Sequence, residues 1–168
     1  MSHRTARHLG AVAILVIAGV GAFLAGRLTA PGSSTANPSP TTFSTRSAAA
    51  LVARMSGPYG HWVPETGFYD PGRPLSVVVG MTPGASSTSP EQVFFFHFGR
   101  YVGPATSQPR FAFTIAGITG DTVTVAYSHY QPGDADCCPS LPDYIVRFHW
   151  TGKAVTPLGQ APPPDQGM

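Results

Sequence analysis

The chain has 168 residues, with 19 Gly, 18 Pro and only 11% charged residues, against about 25% charged in typical soluble domains. Because 42% of the residues are apolar, the composition supports a folded core and excludes a coiled coil, a long helical bundle and wholesale disorder. The net charge of +2 arises in residues 1–46, which carry four Arg and no acid, whereas residues 47–168 carry six bases and eight acids. Without a basic cluster in that larger part, we expect no nucleic-acid partner.

An apolar run without a single charge occupies residues 9–26. As a helix it spans roughly 27 Å, close to the hydrocarbon core of a membrane at about 30 Å, and it exceeds the usual signal-peptide core of roughly 7–15 residues. The run therefore predicts a single-pass transmembrane signal anchor in the cell membrane. The basic residues 1–8 are expected in the cytoplasm and the rest of the chain outside. A cleaved signal peptide and a buried soluble helix are the alternatives.

The rest of the sequence divides by composition into a linker, a domain and a tail. Residues 27–46 are rich in Pro, Ser and Thr, which predicts an unstructured linker. Residues 47–158 are the predicted extracytoplasmic domain, and residues 159–168 are a predicted disordered tail. The domain is expected to begin with a short helix, Ala48–Met55, because Ser47 is a favourable N-cap residue.

From position 75 onwards the sequence shows the alternation and the β-branched and aromatic content that are typical of strands. Gly-containing turns, such as Gly99-Arg100 and Thr151-Gly152, separate the strands and predict hairpins. We therefore expect a mostly β, α+β fold: an antiparallel meander sheet with one short helix packed on it. The predicted strands are Leu75–Met81, Gln92–Phe98, Tyr101–Thr106, Phe111–Ile118, Thr122–Tyr130, Tyr144–Trp150 and Lys153–Thr156.

The strand predicted over Gln92–Phe98 is apolar on both of its faces. Phe94 and Phe96 alternate with Val93 and Phe95, so that neither face is polar. A strand of this kind is expected to be central in its sheet and covered on both sides.

Three segments, residues 89–106, 121–140 and 144–159, resemble the extracytoplasmic domain of the actinobacterial LppP/LprE lipoprotein family. The resemblance extends over roughly residues 47–158. It implies a small β-rich domain behind a signal with a lipidated Cys, and it brings no known activity. Residues 24–26 are similar to the start of a lipobox, but Arg27 stands where the lipidated Cys belongs, which favours a retained helix.

Cys137 and Cys138 are the two cysteines of the chain. In the oxidising compartment that the topology predicts, they are expected to form a disulfide with each other. This disulfide could clamp the long loop between two strands, act as a redox switch or contact a ligand. A metal site is disfavoured, because adjacent thiolates point poorly at one ion and no CxxC spacing is present.

The sequence contains no HExxH, G-x-S-x-G or phosphate-binding Gly motif, so we predict no catalytic residue, no metal and no cofactor. His97 and His149 lie beside aromatic residues on predicted strands, where a hydrogen-bonded structural role is expected. His129 precedes the Cys pair and is a candidate ligand contact. Ser140, Asp143 and His149 could be drawn as a catalytic set, but any chain offers such triples.

Residues 57–74, rich in Pro and Gly, are predicted to form a loop without regular structure. This loop is either a cap that closes the sheet, or a cleft for a glycan or an apolar chain. We favour the cap, since a small domain needs its aromatic residues for the core. The candidate ligand-contacting residues of the loop are Tyr59, His61, Trp62, Phe68 and Tyr69.

The sequence thus predicts a membrane-anchored extracytoplasmic protein of the cell envelope that acts as a binding or accessory module. Its partner is expected to be an envelope protein, a glycan or a lipid. The alternatives are a small redox-active or hydrolytic envelope enzyme and a purely structural spacer. An enzyme should gather titratable groups in one pocket, whereas a binding module should present an apolar or aromatic groove.

Overall fold

The computed structural model describes residues 42–86 and 89–160, so the predicted membrane anchor lies outside the described residues. No helix in these two ranges is long and apolar enough to cross a bilayer. One helix and ten strands occur within them. Their bounds are α1 Thr45–Val52, β1 Ser56–Gly57, β2 Gly60–His61, β3 Val63–Glu65, β4 Ser76–Met81, β5 Gln92–His97, β6 Arg100–Pro104, β7 Phe113–Thr119, β8 Thr122–His129, β9 Leu141–Trp150 and β10 Val155–Leu158.

The strands form two four-stranded antiparallel sheets and a small hairpin. The first sheet has the order β3-β4-β5-β6, the second has the order β10-β9-β8-β7, and β1 pairs with β2. The mostly β, antiparallel fold with one short helix is therefore confirmed. The prediction of a single meander sheet is wrong, because β7 does not pair with β6 and instead begins the second sheet. The segment predicted as an irregular loop, residues 57–74, also contains β2 and β3.

The main core lies between the two sheets. Val77 and Phe95 of the first sheet belong to one buried cluster with Val125 and Phe148 of the second, and the Phe95 and Phe148 rings lie 5.2 Å apart. On its other face the first sheet is covered by α1, whose Ala48 and Val52 pack in a second cluster with Trp62, Tyr69, Val78, Phe94 and Phe96. Strand β5 is thus buried on both faces, as its two apolar faces predict.

Helix α1 begins and ends three residues earlier than predicted. Its N-cap is Ser44, whose side-chain oxygen accepts the backbone N–H of Ser47 at 3.2 Å, so Ser47 lies within the first turn. The backbone just before the cap is already held by the domain, because the N–H of Phe43 donates to the carbonyl of Gly99 at 2.9 Å. The chain therefore enters the folded domain beside the turn that joins β5 to β6.

That turn consists of Phe98 and Gly99 rather than of the predicted Gly99-Arg100 pair. His97 pairs with Arg100 across it, and both turn residues have positive φ, 44° for Phe98 and 73° for Gly99. Gly99 is required on two counts, since a Cβ there would overlap Thr42 and since its φ is left-handed. Phe98 adopts the same left-handed region with a bulky side chain, which is uncommon in proteins.

Each edge strand of the two sheets carries a feature that interrupts strand pairing. Pro64 lies in β3, Pro104 in β6 and Pro157 in β10, and proline has no N–H to donate to a neighbouring strand. The remaining edge strand, β7, has a register shift between Ile115 and Gly117. Such bulges bend an edge strand and disrupt its ladder.

Candidate functional site

Two of the candidate residues in the aromatic loop belong to the core. Trp62 is 5% exposed and packs edge-on to Phe94, and Tyr69 is 8% exposed and packs edge-on to Phe96. The Tyr69 hydroxyl donates to the carbonyl of Phe43. Burial raises the pKa of Tyr69, and the nearby charge of Asp70 adds to the effect. These two side chains cap the first sheet and hold the incoming chain, and Tyr69 also contributes to the wall of the cavity beside Phe68.

The other candidates of that loop lie at the surface. Tyr59 and His61 are exposed in the β1–β2 hairpin. Phe68, 41% exposed, borders a cavity of about 600 Å³ between residues 67–73 and strand β7. That cavity also contains the exposed ion pair of Arg73 and Asp70, with Nε and Oδ2 3.3 Å apart. The five loop candidates therefore divide between core and surface and do not line one cleft.

The loop between β8 and β9, residues 130–140, contains the disulfide between Cys137 and Cys138. We call it the Cys loop. Both cysteines are exposed to solvent. His129, at the end of β8, packs its ring edge-on to Tyr144 with centroids 6.4 Å apart. A Tyr130 hydroxyl bond to the carbonyl of Asp136, at 2.8 Å, ties the start of the loop to its middle.

Asp134 organises the Cys loop through a single carboxylate oxygen. Its Oδ2 accepts the backbone N–H of Gln131 at 2.8 Å, and the N–H and hydroxyl of Ser140, both at 2.9 Å. These bonds, that from Gln131 first, lower the pKa of Asp134 below its ordinary value. The carboxylate thus joins both ends of the loop. Asp134 is therefore a structural residue of the Cys loop, a role that its local sequence did not indicate.

The structure does not assemble the triple of Ser140, Asp143 and His149. Ser140 precedes β9 and His149 lies near its end, so roughly 30 Å of extended strand separate them at about 3.3 Å per residue. His149 instead has Asp121 Oδ1 and Thr122 Oγ1 at 3.3 Å, both on Nδ1. In a catalytic triad the acid and the nucleophile bond to opposite ring nitrogens, so this cluster is not a triad.

A cleft of about 550 Å³ lies where the start of β6 meets the turn between β9 and β10. Its lining combines two aromatic residues, Tyr101 and Trp150, with two cations, Arg100 and Lys153. The remaining lining residues are Val102, Gly103 and Gly152. We call this site the basic–aromatic cleft. Its volume falls in the range of about 300–1,000 Å³ that is usual for small-ligand sites.

The cleft has positive charge without an acidic partner. No acid lines it, and neither Arg100 nor Lys153 forms an ion pair within the described part of the chain. Burial raises the pKa of Tyr101, so its hydroxyl keeps its proton at neutral pH. The Trp150 ring is held in place by stacking on His97. The site therefore offers two free cations, a hydroxyl and a fixed indole to an incoming group.

Acidic residues are concentrated at the opposite end of β9. Asp143 lies at the start of this strand, and Asp134 and Asp136 lie in the Cys loop just before it. Trp150 ends the strand beside the basic–aromatic cleft. These three carboxylates and the basic–aromatic cleft therefore lie at opposite ends of β9, roughly 30 Å apart along a strand of this length, and one further acid, Asp121, lies near the cleft end beside His149.

The basic–aromatic cleft was not predicted from the sequence. Its two cations are far apart in the chain, in the β5–β6 turn region and in the β9–β10 turn, and only the packing of the two sheets brings them together. A local signal did exist, since each cation lies within three residues of an aromatic residue close to a turn. Arg100 precedes Tyr101, and Lys153 follows Trp150 by three positions.

Two packed antiparallel sheets, one of them covered by a helix, define a small mostly β domain with a cleft at one end. The family model described as LppP/LprE lipoprotein matches residues 67–153, more than half of the chain. The chain therefore belongs to the LppP/LprE lipoprotein family, and this membership indicates a membrane-associated lipoprotein-family protein of the cell envelope. The matched region includes every residue of the cleft and the whole Cys loop.

Individual relatives are similar over a shorter region. Proteins carrying the lipoprotein name LppP, one from Mycobacterium bovis and one from Mycobacterium tuberculosis, are each 37% identical to this chain over 65 residues. That region is 39% of this chain and 37% of each relative, so the match spans little more than a third of their length. No solved structure matches the chain.

Proposed function

We propose that the protein is a binding module of the cell envelope, held at the outer side of the membrane by its N-terminal segment, and that it acts without catalysis. The observation that supports this proposal is the basic–aromatic cleft, in which Arg100 and Lys153 lie beside Trp150 with no acidic partner. Cations of this kind recognise phosphate or carboxylate groups, and an indole offers a flat apolar surface to the rest of the ligand. The ligand is therefore an anionic envelope component.

The choice of a binding role over a hydrolytic role follows from what the side chains can do. The cleft contains no carboxylate or histidine in its lining that could act as a general base. The one histidine–carboxylate contact among the described residues, between His149 and Asp121, has its hydroxyl partner on the same ring nitrogen. The cations and aromatic rings that line the cleft favour binding of a ligand over its hydrolysis.

The test is a titration of the full-length protein in detergent with glucose 1-phosphate, using glucose as the uncharged control. Tryptophan fluorescence reports binding, because the chain has two Trp and Trp150 lines the cleft. We expect saturable binding of the phosphate compound, weakened about tenfold or more by the double variant Arg100→Gln/Lys153→Gln. Arg147→Gln, at an exposed cation outside the cleft, is the matched control and should leave binding unchanged. Equal responses to glucose and its phosphate would contradict the proposal.

A second candidate function rests on the exposed disulfide. Both sulfur-bearing residues are solvent-exposed, so an external dithiol can attack one sulfur and release the other as a thiolate. Two electrons and two protons then convert the disulfide to two thiols while the dithiol becomes a disulfide. Equilibration of the protein with dithiothreitol buffers tests this role. A redox role requires a potential near that of catalytic dithiol proteins, above about −270 mV, because structural disulfides lie below roughly −300 mV.

A further inference from the structure

Phe98 is an unexpected residue for the turn that it occupies. Two-residue hairpin turns with positive φ at both positions strongly prefer Asn or Asp before Gly, because a bulky side chain is strained there. Phe98 nevertheless has φ 44°, and it is 49% exposed, so the core does not gain its full burial. Neither turn geometry nor core packing accounts for a phenylalanine at this position. Residues that break a local rule in this way are often those with a functional role.

Phe98 continues a row of rings that leads to the basic–aromatic cleft. Its ring lies edge-on to His97 at 4.8 Å, and His97 stacks on Trp150 at 4.3 Å. Arg100 and Lys153 are exposed cations in the same region. This end of the domain therefore combines an exposed apolar ring, a partly buried indole and two unpaired positive charges. Aromatic and basic side chains together are typical of protein surfaces that lie at a membrane–water interface.

The chain also enters the domain at this end. The N–H of Phe43 donates to the carbonyl of Gly99, next to Phe98, and Tyr69 holds the Phe43 carbonyl. Residues 27–41 connect this point to the apolar run that ends at position 26. Fully extended, a segment of that length reaches at most about 50 Å. A tether of this length gives the domain a high effective concentration at the membrane that holds it.

The acidic end of the domain disfavours the opposite orientation. Asp134, Asp136 and Asp143 lie at the far end of β9, and an anionic surface repels them. Two acids lie nearer the basic end, where Asp70 is paired with Arg73 and Asp121 Oδ1 lies 3.3 Å from Nδ1 of His149. They are outnumbered by the three cations Arg73, Arg100 and Lys153, so the charge of this group stays positive. Opposite charges at the two ends orient a molecule in an electrostatic field.

We propose that this end of the domain docks on an anionic phospholipid surface, with Phe98 inserted among the headgroups and Arg100 and Lys153 bound to lipid phosphates. The proposal rests on the membrane placement in the proposed function, and it names anionic phospholipid as the partner of the cleft. In this arrangement residues 27–41 attach the domain to the membrane, Phe98 inserts into it, and the separated charges orient the domain. The Cys loop then faces away from the membrane.

The experiment uses the full-length protein in vesicles of phosphatidylcholine, with or without phosphatidylglycerol, containing brominated lipid that quenches tryptophan at short range. Since residues 1–41 contain no Trp and Trp62 is buried, quenching reports the approach of Trp150 to the bilayer. We expect quenching in anionic vesicles that decreases with added salt, and little in neutral ones. Each cation removed, by Arg100→Gln or Lys153→Gln, should lower the ratio of docked to undocked domain about fivefold.

The variant Phe98→Asn separates docking from folding. Asn suits the left-handed turn position better than Phe, so the thermal midpoint should stay the same or rise. Quenching by brominated lipid should fall, while binding of glucose 1-phosphate should be retained. If Phe98→Asn does not fold, Phe98→Gly, which also suits the left-handed turn position and leaves the cleft unchanged, provides the same comparison.

The outcomes distinguish this proposal from the proposed function. Quenching that is equal in neutral and anionic vesicles, or unchanged in Phe98→Asn, overturns docking. If glucose 1-phosphate still binds in that case, the cleft retains its proposed role with a soluble ligand. Docking that persists while glucose 1-phosphate fails to bind supports the membrane surface as the partner and removes a soluble anionic ligand.

Discussion

The imidazole of His97 stacks on the indole of Trp150, with ring centroids 4.3 Å apart and planes inclined by 20°. His97 ends the third strand of the first sheet, and Trp150 ends the second strand of the second sheet. The His97 Nδ1–H donates to the carbonyl of Pro74, which also holds the imidazole in place. The pair therefore joins the two sheets at the end where the cleft lies, and it positions the indole that lines the cleft.

The energetic coupling of this pair can be measured with a double-mutant cycle. We expect His97→Ala, Trp150→Ala and the double variant to show a coupling energy of about 0.5–1.5 kcal/mol in denaturant unfolding, the usual range for stacked aromatic pairs. Cycles between Trp150→Ala and the distant Tyr59→Ala provide the control, which should be additive. Additivity for His97 and Trp150 as well would mean that the stack contributes nothing beyond the burial of each ring.

Phe96→Ala should strongly destabilise the fold. Phe96 is fully buried between Tyr69 and Tyr101, whose ring centroids lie 5.0 and 5.5 Å from its own. Loss of a core phenylalanine costs about 3–5 kcal/mol in the free energy of unfolding. Phe68→Ala, at a side chain that is 41% exposed, is the matched control and should cost under about 1 kcal/mol. Similar losses for both variants would contradict the two-faced burial of β5.

The Cys loop should depend on Asp134 as well as on its disulfide. Replacing both cysteines with Ser should loosen residues 131–140 and lower stability modestly, while both sheets remain folded, because the strands carry the apolar burial. Asp134→Ala should loosen the same residues, since three hydrogen bonds converge on its Oδ2. Hydrogen exchange of the loop amides measures both effects.

The control for the loop prediction is Asp136→Ala. The Asp136 side chain makes no hydrogen bond within the described part of the chain, and its carbonyl still accepts the Tyr130 hydroxyl in the variant. Amide protection that drops equally in Asp134→Ala and Asp136→Ala would indicate loss of acidic charge as the cause. Intact mass after alkylation without reductant checks the disulfide, and two labelled thiols would refute it.

Stability should fall at alkaline pH because of Tyr69. Burial raises its pKa in the folded state above the ordinary value near 10, so the unfolded chain releases the phenolic proton first. The stabilisation is complete below the unfolded pKa and is lost as the pH rises through the folded one. Tyr69→Phe should therefore flatten the decline of the unfolding free energy above about pH 10. Tyr59→Phe, at an exposed tyrosine, should leave the slope unchanged.

The strands were predictable because their signal is local. In β5 the apolar residues on both faces correctly predicted a central strand that is covered on both sides, and the observed strand ends within one residue of the predicted one. The division into two sheets was not predictable in this way. Alternation specifies a strand and its buried face, but not whether the next strand pairs beside it or crosses to an opposing sheet. Helix α1 covers one face of β5, and the second sheet covers the other face.

The candidate site shows the same limit. The loop aromatics were expected either to cap the sheet or to bind a ligand, and Trp62 and Tyr69 do cap it. By contrast, Arg100 begins β6 of the first sheet and Lys153 lies in the β9–β10 turn of the second sheet. Their proximity depends on how those sheets pack, which no short sequence window contains. The role of Asp134 was missed because a carboxylate in a turn is usually solvated, and only the closed loop brings Ser140 to it.

The interrupted edges of the two sheets have a consequence for copies of this protein held on one surface. When two copies meet edge to edge, an exposed strand of one can continue the sheet of the next. Pro64, Pro104 and Pro157 each remove an N–H from such a contact, and the bulge after Ile115 bends the fourth edge. Crowding along the envelope should therefore bring these domains together without polymerising them.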